Sequence, residues 1–370
     1  MDTVEVTREQ VLGFRIRAQQ LDRAAGTGSV EDTALLDYGA QDTGPDGALW
    51  ALQTRGVDTA SVPDDALSML WTLRGGPHLY RRADLAQVAA AVAPFDDDDA
   101  GKRIYDASKP LRQAGIGNLE ALDQVAAQMR KIVSKPTVKG DVSGRLAAVL
   151  DPPHLRFCKP CGVTHAWEMP FRLAAIRAGL ELEPGTSPPV LRRIPGFRVS
   201  RTVPPRFDVI RTYLRLLGPA TPKQVAAFLD APVKAVTARW PADVTEVVVA
   251  AQKRSILTAD LDALTAGPAA DVTRLLGPYD LFVQAKDREL LVDDPARAKA
   301  IWPVLGRPGV VLVDGDLLGT WRPRKQGKKF RLDVDLWAPV PPGRRKAVEE
   351  QAERLAAFRD IPLTELTFRT

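Results

Sequence analysis

Three consecutive residues, Gln41, Asp42 and Thr43, place an amide, a carboxylate and a hydroxyl in one Gly-rich segment, LDYGAQDTGPDGALWALQTR (36–55). An amide oxygen can hold a water molecule and a carboxylate can take its proton, so this set suits hydrolysis by a positioned water. In an extended segment Gln41 and Thr43 share one face and Asp42 points to the other, unless a tight turn brings it round. A second constellation, His154-x3-Cys158-x2-Cys161-x3-His165, contains the only two cysteines and two of the three histidines. Its spacing can reach one tetrahedral structural zinc, and it equally fits a redox pair or a packed, metal-free loop. No G-x-S-x-G, G-x4-G-K-[ST] or helix-opening G-x-G-x-x-G occurs, and three histidines are too few for classical metal hydrolysis. Carboxylate and amide chemistry remains, with no cofactor required for catalysis.

The elements that would mount the first set can be read locally. Residues 36–43 read as a helix end and tight turn, and Pro45 and Asp46 start a helix whose Ala48, Leu49 and Leu52 face inward. The segment 71–82, WTLRGGPHLYRR, reads as its neighbour. It follows a short helix at 64–70 and runs extended around the Gly75-Gly76-Pro77 kink, with His78 in an irregular stretch. Thr7 to Gln10 is a capping box opening the first helix. Helical periodicity returns over 119–149.

The most legible stretch is 207–257. Val209 to Leu217 is amphipathic, Thr221-Pro222 opens a second helix, Pro232 opens a third, and two short strands follow. Three helices and a two-stranded wing make a winged helix-turn-helix. The segments 135–151 and 218–230 share a Pro/Thr entry and a Val-containing helix ending in Leu-Asp, which points to tandem repetition. After Pro278 the pattern becomes β: strands at 310–313, 317–321 and 330–336 around an Asp314-Gly315 turn, then a closing helix at 346–358.

At 370 residues, 45% hydrophobic and 26% charged, the composition is that of an ordinary soluble protein of more than one domain. No run approaches the ~18 apolar residues of a membrane span, and the polar N-terminus lacks signal-peptide character, which leads to a cytoplasmic expectation. The net charge of +5 is concentrated at Arg81-Arg82, Lys102-Arg103, Arg192-Arg193 and RPRKQGKK (322–329). Such patches can hold a polyanion through phosphate contacts, and each alone also suits a solvated surface.

Three stretches carry a family resemblance: GAQDTGPDGALWAL, TLRGGPH, and PGVVLVDGDLLGTWRPR with the EEQAERLAAF helix. The chain resembles the AlkZ-like, azinomycin-resistance type of winged-helix bacterial DNA glycosylases, whose Gln-x-Gln or Gln-x-Asp motif lies at the turn of Gln41. Here the third motif position is Thr43, whose hydroxyl can bond a water but is a poor base. The resemblance implies monofunctional hydrolysis of the N-glycosidic bond of N7- or N3-alkylated purines, interstrand crosslinks among them. It implies catalytic roles for Gln41, Asp42 and Thr43, and pocket or phosphate contacts from Arg74 and His78, beside Arg81 and Arg82. Arg322, Arg324, Lys325, Lys328 and Lys329 are the expected DNA-binding residues.

The expected fold is α+β, tandem winged helix-turn-helix units with a β-rich C-terminal part. Its segments are 1–115 with the Gln41 turn, 116–205 with the Cys158/Cys161 segment, 206–270 as the third winged helix, and 271–370 as β-meander and closing helix. The expected partner is double-stranded DNA with alkylated bases, bound by a monomer at the nucleoid. A winged-helix DNA-binding protein without catalysis, or a protein-binding scaffold, would share these patterns.

Overall fold

A computed structural model describes residues 4–44, 47–269, 271–327 and 329–369, with the backbone alone at Lys325 and Gln326. Pro45 and Asp46, expected to open a helix, and Lys328 lie outside the described residues. The fold is mixed α+β, and the chain divides into two compact units, one of residues 1–62, 213–224 and 241–370, the other of 63–212 and 225–240. No helix among the described residues is long and apolar enough to cross a membrane.

In the first unit the valine-rich run VVLV pairs through the Asp314-Gly315 turn. Both residues adopt positive φ (52° and 105°), as a two-residue hairpin with right-handed twist requires. A five-stranded sheet grows from it in the order Thr273–Leu276, Gly309–Val313, Asp316–Gln326, Lys329–Leu336 and Leu363–Arg369. The helix Pro342–Arg359 buries Val348, Ala352 and Leu355 in the same core as Val311, Trp321 and Leu332. That core also takes Trp50, whose Nε1 donates to the Leu275 carbonyl at 2.7 Å. The helix does not close the chain. The strand Leu363–Arg369 follows it and pairs parallel with Lys329–Leu336, a nonlocal pairing that no turn residue announces.

A three-stranded sheet sets Val4–Glu5 beside the hairpin Val244–Val249/Gln252–Leu257. The helix Arg8–Ala18 starts from the expected capping box, with Gln10 N donating to Thr7 Oγ1 at 3.2 Å and Thr7 N to Gln10 Oε1 at 2.9 Å. Its Val11 and Phe14 join Val247 and Ile256 in a second core.

In the second unit, residues 67–72 form a strand where the sequence reading placed a helix over 64–70. The strand Leu67–Thr72 pairs antiparallel with Gly76–Arg81, and Met69 also meets Leu182, so cross-strand partners override a locally helix-like pattern. The sheet continues through Leu180–Leu182 and Val190–Arg193 to Thr137–Val138. The helices Asn118–Ile132 and Glu168–Arg177 share its core through Val125, Met129, Phe171 and Ala174. A separate two-stranded hairpin, Leu155–Cys158/Val163–Ala166, carries the cysteine segment.

The element order read over 207–257 is present: helices Val209–Leu217, Pro222–Leu229 and Val233–Thr237, then the two strands of the Val244–Leu257 hairpin. Its residues are divided between the two units.

Candidate active site around Gln41

The helix Leu35–Tyr38 ends at Gly39, whose φ of 95° turns the chain into the short strand Ala40–Gln41. From there extended backbone alternates its side chains. Gln41 Nε2 donates to Thr43 Oγ1 at 3.0 Å, which fixes the amide's orientation. Gln41 Oε1 is thereby turned the other way; it is buried and accepts no hydrogen bond from any described residue.

Asp42 points elsewhere. Its Oδ1 accepts from the Ala48 backbone N–H at 2.9 Å, so the carboxylate caps the helix Gly47–Gln53. Burial lifts its carboxyl above the usual range, partly offset by that hydrogen bond. Gly47 makes this cap possible: a Cβ at that position would lie 2.0 Å from Asp42 Oδ1, and its φ is +24°.

Gln41 and Thr43 line a cavity of about 10 Å³ together with Gly47, Gly277, Tyr279 and Asp280. That volume holds about one water molecule. Asp280 is the carboxylate of this cavity, and sequence reasoning missed it. It caps its own turn by accepting from Phe282 N at 3.0 Å. Arg55 grips it with two hydrogen bonds, Nη1 to Oδ2 at 2.7 Å and Nη2 to Oδ1 at 2.9 Å. Arg55 is fully buried and also donates to Gln19 Oε1 at 3.0 Å, so the carboxylate is anchored through a buried chain to the first long helix. Removing one partner of such a pair typically costs about 3–5 kcal/mol, because the other charge stays buried. The only local signal was an acid isolated among apolar residues in PYDLFV, which reads simply as a turn cap.

The other expected site residues lie in the second unit. Arg74 sits at the bend between the strands with φ 61°, donates to the Phe228 carbonyl at 2.5 Å and stacks over the Phe228 ring. His78, in the strand Gly76–Arg81 rather than an irregular stretch, is buried. Its Nδ1 lies 3.0 Å from the Gly76 carbonyl, which can only accept; the proton therefore resides on Nδ1 and leaves Nε2 as an acceptor. Burial, with Arg74 adding to it, pulls the imidazole down to about 3, so the ring is neutral at physiological pH. Arg81 pairs with Asp84 at 3.2 Å. Arg82 pairs with the buried Glu181 at 3.0 Å and donates to the Asp65 and Leu67 carbonyls. Both guanidiniums are thus held by protein partners.

Of the expected DNA-binding residues, Arg324 is exposed and contacts Asp333 at 3.1 Å, Arg322 is half-buried, and Lys329 is exposed at the turn end of the long hairpin Asp316–Gln326/Lys329–Leu336. The Lys325 side chain and Lys328 lie outside the description. Of the four zinc-spaced residues, Cys158, Cys161 and His165 bring their ligand atoms within 4.8 Å of one another, and His154 is not part of that group.

No curated protein matches the chain. Among solved structures it is similar to the Streptomyces sahachiroi DNA glycosylase AlkZ, with a TM-score of 0.73 and 21% identity, over 99% of this chain and 100% of that one. At that identity the likeness establishes the fold. The family model described as DNA glycosylase AlkZ-like matches residues 37–358, from just before the Gln41 turn to the end of the C-terminal helix; on that match the chain belongs to the AlkZ-like DNA glycosylase family.

Proposed function

We infer that the protein is a monofunctional DNA glycosylase that hydrolyses the N-glycosidic bond of N7- or N3-alkylated purines, with the Gln41 cavity holding the attacking water. The observation that carries this reading is the buried, unpartnered Gln41 Oε1 beside a cavity of one water's volume that Asp280 also lines. An alkylated purine already carries positive charge and leaves without strong protonation. The enzyme has to supply an oriented water and negative charge near the developing oxocarbenium sugar. Gln41 Oε1 accepts one water hydrogen, Thr43 holds the amide in place, and the water oxygen attacks C1′ as the C1′–N9 bond breaks. The bonding pair goes to the purine, which leaves neutral. The water's proton passes to a carboxylate, and Asp280 is the one that lines the cavity.

In this reading Asp42 is a positioning residue that fixes the turn, and Thr43 stands where the motif has Gln or Asp and holds the Gln41 amide in place. His78 accepts a hydrogen bond through Nε2, and the long basic hairpin contacts the phosphate backbone. The helices and strands of 207–257 serve as a winged helix, one of the tandem units expected from the sequence. In this reading the protein works at the nucleoid as a monomer, and base flipping is the usual route to chemistry on a base within a duplex.

The test is product analysis with duplex DNA carrying 7-methylguanine and with DNA crosslinked by a bifunctional alkylator. Free alkylated base with an intact abasic strand supports the reading. Strand cleavage at the abasic site contradicts the monofunctional chemistry, and release from neither substrate contradicts alkylpurine hydrolysis.

A further inference from the structure

The hairpin Leu155–Cys158/Val163–Ala166 plays no part in the hydrolysis just described, yet it concentrates the only two thiols of the chain at its tip. The turn is built around Cys158. Its carbonyl accepts from Cys161 N at 3.2 Å and from Gly162 N at 2.9 Å, which curls the backbone so that the second cysteine comes back over the first. Gly162 has φ +68° with open space around it, so the bend itself requires glycine there.

Cross-strand pairing then brings in the histidine. Arg156 faces His165 and Cys158 faces Val163, so period-two alternation puts Cys158 and His165 on one face of the ribbon. The two sulfurs and the imidazole nitrogen end within 4.8 Å of one another. Ligands at about 2.3 Å (sulfur) and 2.0–2.1 Å (nitrogen) around a tetrahedral ion stand roughly 3.5–3.8 Å apart. An exposed turn can close that gap by side-chain rotation.

We propose that Cys158, Cys161 and His165 bind one zinc ion at the tip of this hairpin, with solvent completing a tetrahedral set. Two thiolates and an imidazole form the soft, borderline donor set that selects zinc over magnesium or calcium. The ribbon also has a structural need for it. Phe157 and Val163 are 64% and 50% exposed, so its outer half has little apolar burial, and an isolated two-stranded hairpin is at best marginally stable in water. Its base is tied in through Leu155 and Ala166 in the core of the unit. Zinc therefore acts as a clamp on the tip, and His154, buried two residues back from Arg156, is not a ligand.

The experiment uses the full chain, purified in reducing buffer, exposed to zinc and desalted, with metal content and thiol alkylation measured together. The proposal expects about one zinc per chain, both thiols protected from alkylation until a chelator is added, and wild-type zinc content in His154→Ala. Cys158→Ser and His165→Ala should each weaken zinc by at least the ~10–100-fold that loss of a mere outer-shell partner costs. With cobalt as the probe, the wild type should show a thiolate charge-transfer band that Cys158→Ser reduces. Equal metal content in wild type and Cys158→Ser overturns the proposal, as does a Cys158–Cys161 disulfide that forms with no metal uptake by the reduced chain. Base release by Cys158→Ser, measured in parallel, reports separately on the glycosylase reading.

Discussion

Replacing Gly47 with alanine should damage the Gln41 turn in a way that is measurable without any substrate. The new Cβ would lie 2.0 Å from Asp42 Oδ1, so the carboxylate must leave the Ala48 N–H it caps. Losing such a cap costs about 1 kcal/mol. Holding a non-glycine residue at φ +24° adds about 1–2 kcal/mol. Gly47→Ala is therefore expected to lower stability by about 2–3 kcal/mol, and Asp42→Ala, which loses only the cap, by about 1 kcal/mol. In the double variant the cap is lost only once. Its cost should stay at about 2–3 kcal/mol rather than the additive 3–4, a coupling of about 1 kcal/mol. That exceeds the ~0.3–0.5 kcal/mol scatter of independent sites. Denaturant titration of the four proteins measures the cycle. Additive losses would refute the argument that Gly47 acts through the Asp42 cap.

Two further outcomes follow from the charges. Burial raises the Asp42 carboxyl, so its stabilising contribution is complete below the unfolded value of 3.8 and is lost as pH rises through the folded value. Asp42→Asn keeps an acceptor for Ala48 and cannot ionise; its stability relative to wild type should rise with pH above about 4, and a difference that does not vary with pH would contradict this. Neutralising Arg324, Lys325 and Lys328 together should weaken DNA binding and flatten the plot of log affinity against log salt by about 0.9 for each phosphate no longer neutralised; an unchanged slope would place the DNA elsewhere.

What the sequence made legible was local. The capping box at Thr7, the Asp314-Gly315 hairpin and the helices of 207–257 rest on residues within a few positions of one another, and the structure contains all of them. Side-chain alternation along extended backbone also separates Gln41 and Thr43 from Asp42, and in the structure Asp42 turns to the helix while the other two line the cavity. What stayed hidden depended on distant partners. Residues 67–70 look helical until Gly76–Arg81 and Leu182 are placed beside them. The strand Leu363–Arg369 needs a parallel neighbour that no turn predicts. Asp280 reads as a turn cap until Arg55 and Gln41 are brought to it across most of the chain. Arg81 and Arg82 read as free cations, whereas Asp84 and Glu181 occupy them.

The proposed chemistry rests on the Gln41 amide oxygen orienting the attacking water. The most direct measurement is single-turnover release of 7-methylguanine from duplex DNA by wild type and Gln41→Ala, with DNA affinity and unfolding midpoint determined on the same preparations. Misplacing a reacting group by about 1 Å can cost about 100-fold, so a loss of about 100-fold or more in the release rate is predicted, with affinity and stability nearly unchanged. Release at the wild-type rate by Gln41→Ala would rule out Gln41 as the group that orients the water.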